Sequence, residues 1–135
     1  MKAKLRKSFY SCIDTFFEGT NAEQHNIINA MAKRENGKII FYGAADYFVA
    51  DSQPFILPKL IRTKNIEGVI FFTLNQFCYG NYINLSLLVN ILKLEISVHF
   101  AREDITIKNL NDLKVKHLDL IGYYQAAFKK NITIK

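Results

Sequence analysis

The chain has 135 residues, half of them hydrophobic and 22% charged, which is enough apolar material for one packed core and excludes a disordered polymer. The net charge of +6 is gathered in Lys2, Lys4, Arg6 and Lys7 at the start, in Lys59, Arg62 and Lys64, and in Lys129, Lys130 and Lys135 at the end. It reads as a solubilising fringe, so nucleic acid is not the expected partner.

Cys12 and Cys78 are the only cysteines, and neither has a close-spaced Cys or His partner. A zinc site and a disulfide framework are therefore not expected, and neither is any other metal or cofactor. The basic start is not followed by an apolar segment with a small-residue cleavage site, so a cytoplasmic location is expected.

In chain order, Ser8–Ile13 is a short aromatic and β-branched run, the expected first strand. Thr20-x-x-Glu23 has capping-box spacing, and Ile27, Ile28, Ala30 and Met31 then form one apolar face, giving a helix over Ala22–Glu35. Lys38–Tyr42 is the second strand, and Gly43–Asp51 reads as a loop. Ser52 two residues before Pro54 opens a short helix carrying Phe55, Ile56, Leu60 and Ile61.

No residue from Gly68 to Leu92 is charged. The run is long enough to cross a bilayer, but Asn75, Gln76, Asn81, Asn84 and Asn90 would be costly in lipid, which points to a protein interior and no membrane span. It divides into a third strand at Val69–Leu74, a loop, and a helix over Tyr82–Lys93, followed by a fourth strand at Ile96–Phe100. Asn109 or Asn111 can cap a last helix reaching Phe128, and Ile132–Ile134 suits an edge strand.

Strands alternating with helices at this spacing call for a single three-layer α/β/α domain over residues 1–135. Its basic ends, 1–7 and 129–135, are expected to be flexible. The expected sheet has four mainly parallel strands in the order 2-1-3-4, and ligands in such sheets bind beyond the strand C-termini, near the point where the order reverses. The groups expected at that rim include Asp14 after the first strand and Asp46 after the second, with Asn75 and Gln76 after the third. His99, Arg102 and Glu103 stand around the end of the fourth.

A histidine titrates near neutrality, so His99 is the natural acid–base group, with Glu103 to orient it and Asp14 as a second carboxylate. Asn75 and Gln76 suit polar hydroxyls, Arg102 an anionic group, and Asp46 a further contact with substrate. The chain has no glycine-rich phosphate loop, nucleophile elbow, HExxH or dinucleotide fingerprint.

Two stretches carry a resemblance. Glu67–Thr73 (EGVIFFT) and Val98–Glu103 (VHFARE) resemble the paired strand motifs of the sporadic carbohydrate cluster proteins, small bacterial proteins encoded among surface-polysaccharide biosynthesis genes. Gln24-His25-Asn26 and Ala45-Asp46-Tyr47 are similar to two further motifs of that family, and the likeness spans Tyr10 to Leu113. Asp46 stands where the family pattern has glutamate, and Thr73 where it has serine.

The same layout resembles the catalytic domain of serine recombinases, but Leu74-Asn75-Gln76 replaces the Leu-Asp-Arg signature and Ser11-Cys12-Ile13-Asp14 the arginine–serine signature. The cations that phosphoryl transfer to a serine needs are missing, so recombination is not expected even on a resolvase-like fold. The resemblance implies a role in surface-polysaccharide biosynthesis, as a small enzyme on a sugar or nucleotide-sugar intermediate or as an accessory factor. The alternatives are a non-catalytic homodimeric interaction module and, after it, a degenerate recombinase-like nucleic-acid binder.

Overall fold

A computed structural model describes residues 7–15, 20–45, 60, 65–79, 82–128 and 133–134. The expected second helix lies outside these residues except for the buried Leu60, as do Asp46, Tyr47 and nearly all of the basic ends.

The main sheet has five strands in the order β2-β1-β3-β6-β7. They are β1 (Lys7–Asp14), β2 (Gly37–Ala45), β3 (Gly68–Phe71), β6 (Ser97–Phe100) and β7 (Ile105–Ile107). Neighbours are parallel except at β6 and β7, which pair antiparallel with His99 opposite Thr106. The expected four strands thus gain a fifth. The tight turn that makes it possible carries Asp104 at a φ of 58°, in the left-handed region.

Three helices accompany the sheet among the described residues: α1 (Asn21–Arg34), α2 (Leu85–Leu92) and α3 (Leu110–Phe128). Thr20 caps α1 by accepting from the Glu23 N–H at 3.0 Å, as the capping-box spacing predicts. Asn84 caps α2 and Asn109 caps α3 in the same way, at 3.1 and 2.8 Å.

Period-two alternation sends the strand side chains to two separate cores. Phe9, Ile13, Ile70 and Phe72 pack with Ile28, Met31 and Ala32 of α1. Tyr10, Cys12, Val69, Phe71, Val98, Phe100 and Ile107 face the other way, against α2 and against Leu113 and Leu120 of α3. The sheet is therefore covered on both faces, and its central strand β3 (GVIF) is buried throughout.

The uncharged run from Gly68 to Leu92 resolves into more pieces than expected. β3 ends at Phe71, and Leu74–Phe77 forms a 3-10 turn. The short strands β4 (Cys78–Tyr79) and β5 (Tyr82–Ile83) then join β8 (Thr133–Ile134) in a second, three-stranded sheet. Among the described residues no helix is long and apolar enough to cross a membrane.

Candidate functional site

The C-terminal rim of β1, β3 and β6 collects most of the polar side chains anticipated from sequence. At the end of β1, the chain leaves the sheet and its backbone needs partners. Gln24, on the buried face of α1, supplies two: its Oε1 accepts from the Asp14 N–H and its Nε2 donates to the Asp14 carbonyl, both at 2.8 Å. Gln24 is 1% exposed and Asp14 is itself buried, so this amide-to-backbone pair is an internal clasp.

The end of β3 is held in a similar way. Gln76 Oε1 accepts from the Thr73 N–H at 3.1 Å, while its Nε2 donates to the carbonyls of Ile13 at 3.2 Å and Cys12 at 3.4 Å. One buried amide therefore stops β3 and ties it to the end of β1. Thr73 caps the 3-10 turn, accepting from the Asn75 N–H at 3.3 Å.

Glu103 reaches across from the turn after β6. Its Oε2 accepts from the Thr73 hydroxyl at 2.6 Å and its Oε1 from the Leu74 N–H at 2.9 Å. Both carboxylate oxygens are thus engaged in charge-assisted bonds that fix the 3-10 turn. Cys78 lies near enough to feel this charge: burial first, and Glu103 second, push its thiol well above the usual range. It donates to the Leu74 carbonyl at 3.3 Å and is a packed thiol rather than a nucleophile.

His99 is not part of this rim network. It sits within the sheet on the α1 side, 1% exposed, with the Phe9 ring edge-on at 5.3 Å. Its Nε2 bonds Ser97 Oγ at 2.7 Å and its Nδ1 bonds Thr106 Oγ1 at 2.9 Å. Both partners are hydroxyls, which can donate or accept, so the contacts suit a neutral ring in which one nitrogen donates and the other accepts. Burial lowers the imidazole pKa to about 4, against the opposing pull of Glu35 and with the help of Lys7 and Lys108.

The structure thus places Asp14, Gln76 and Glu103 on the interlocked ends of β1, β3 and β6, with Asn75 on the same 3-10 turn as Gln76. It does not bring His99 and Glu103 together as a hydrogen-bonded pair: each is satisfied by other groups. Arg102 is exposed beside Glu103, and Asp46 lies outside the described residues. Asn75 is only partly buried, yet its Oδ1 is buried and has no hydrogen-bond partner among the described residues.

Two residues with a part here, Gln24 and Thr73, were not singled out as site residues from sequence. Gln24 had a readable signal, because it shares a helix face with Ile28, Met31 and Ala32, and an amide on a buried face demands a partner. No protein-family model matches the chain, and neither does any of the curated proteins or solved structures compared with it.

Proposed function

We propose that the chain is a non-catalytic accessory factor of bacterial surface-polysaccharide biosynthesis, working in the cytoplasm through a resolvase-like α/β scaffold. The resemblance of its two strand motifs to the sporadic carbohydrate cluster proteins supports the biosynthetic setting. One observation carries the non-catalytic part: the side chains best suited to acid–base work have their polar atoms occupied by the fold. A general acid or base must reach a substrate proton and change charge near the working pH. His99 is enclosed, bonded through both nitrogens and held neutral, and both Glu103 oxygens anchor the 3-10 turn.

A second reading, a binder of sugar or nucleotide-sugar hydroxyls at the same rim, is favoured by Asn75 Oδ1, which has no donor among the described residues. Adding nucleotide sugars and following the backbone amides of Thr73–Gln76 by NMR separates the two, since shifts confined there select the binder. The biosynthetic setting is tested by deleting the gene in its host and measuring surface polysaccharide. A changed yield or chain length, restored by the wild-type gene, is expected. Polysaccharide identical in amount and composition would overturn the proposal.

A further inference from the structure

Helix α3 has one face buried and another that nothing among the described residues covers. Leu113 and Leu120 point into the core, with Ile121 packed against it. Val115 and Leu118 lie on the opposite side, 76% and 66% exposed, the most exposed large apolar side chains of the described residues. Gly122 continues their line at the i, i+3, i+7 spacing, and a Cβ added there would meet nothing within 4 Å. The stripe is therefore two apolar knobs followed by open space beside bare backbone.

The flanks of the stripe carry opposite charges. Lys114 stands on one side of the Val115–Leu118 line and Asp119 on the other; both are exposed, and neither makes an ion pair among the described residues. The neighbouring charges are already engaged, since Lys116 pairs with Asp112 at 3.4 Å. With Val115 and Leu118 as successive core positions, Lys114 and Asp119 occupy the two flanking positions that meet across a parallel helix pair, five residues apart.

A second copy laid parallel along the same face sets each Lys114 against the other copy's Asp119, twice by symmetry. An antiparallel copy centred on Leu118 instead brings the two Asp119 side chains together. The face is self-complementary in one orientation only, which is what a two-fold interface requires.

We propose that the chain forms a homodimer through the Val115–Leu118–Gly122 face of α3, with the two helices parallel and Lys114 and Asp119 paired reciprocally between copies. Gly122 lets the helices approach closely below the Leu118 contact. The dimer goes beyond the polysaccharide reading, and it is tested on purified protein, so its failure is distinct from failure of that reading in the host.

The test is sedimentation equilibrium of the full chain at physiological ionic strength, with circular dichroism as a control for folding. Wild-type protein is expected to dimerise, and L118E to stay folded with its dissociation constant raised at least about tenfold, because the side chain is exposed in the monomer and central in the dimer. K114E and D119K should each weaken the dimer several-fold. The double variant K114E/D119K, which swaps the charges, should return to within about threefold of wild type. A wild-type chain that stays monomeric up to about 1 mM, a dimer unaffected by L118E, or a charge-swapped variant weaker than either single one would each overturn the proposal.

Discussion

Acidification tests the placement of His99 quantitatively. A histidine of ordinary pKa 6.5 in the unfolded chain has its pKa lowered to about 4 when folded. Between those values the unfolded chain binds a proton that the folded chain refuses, so stability is complete above the higher value and is lost as pH falls towards the lower one. From about pH 7 to about pH 5 this linkage removes about 2 kcal/mol, and the limiting loss below the folded pKa is about 3 kcal/mol. Because the side chain is 1% exposed, solvent screening does not discount the effect.

The assay is urea unfolding of wild type and H99Q at a series of pH values. At pH 7 the variant should be less stable by about 1–3 kcal/mol, since a flexible amide neither fills the ring's space against Phe9 nor holds its donor and acceptor where the two ring nitrogens meet Ser97 and Thr106. On acidification the gap should shrink by about 2 kcal/mol, because only wild type carries the linkage. Other titrating groups are common to both proteins and cancel in the difference. Parallel stability profiles over this range would refute the assignment of His99 as a buried neutral histidine.

Two further outcomes concern the neighbouring clamps. Glu103→Ala should cost about 2–4 kcal/mol by leaving the Thr73 hydroxyl and Leu74 N–H unpaired, and a double-mutant cycle with Thr73→Val should show coupling of at least about 1 kcal/mol; additive losses would contradict the bond. Gly68→Ala should lose about 1–3 kcal/mol in urea unfolding, because the new Cβ would overlap Ser97 Oγ and lie 2.9 Å from Phe9 Cε1, and unchanged stability would show that this corner has room.

The elements most legible in the sequence were those marked by periodicity and caps. Thr20 and Glu23 located the start of α1, Asn109 and Asn111 bracketed the start of α3, where Asn109 is the cap, and the aromatic and β-branched run at Ser8–Ile13 and the apolar run at Ile96–Phe100 gave β1 and β6. β7 went unseen because three residues, Ile105–Ile107, are too few to establish a period, and they become a strand only by pairing with β6. The third strand was expected to reach Leu74 and stops at Phe71, since Gln76 and Glu103 take up the N–H groups of Thr73 and Leu74.

The polar residues were found more readily than their partners. The uncharged context made Asn75 and Gln76 conspicuous, but Gln76 bonds carbonyls of β1, and no local pattern reveals contacts that distant in sequence. Likewise His99 and Glu103 looked like a pair because they are close in sequence. The strand alternation aligns His99 with Ser97 and, across β7, with Thr106. Glu103 lies beyond the strand end, where alternation no longer fixes its direction, and it turns to Thr73 instead.

The central claim, that these side chains serve the fold rather than a reaction, is met most directly in a host strain deleted for the gene and complemented with H99Q or E103Q. Surface-polysaccharide yield is the readout, compared at matched levels of folded protein. Either variant should restore wild-type yield once enough folded protein accumulates. A folded variant present at the wild-type level that restores none would contradict the account and return His99 or Glu103 to the chemistry.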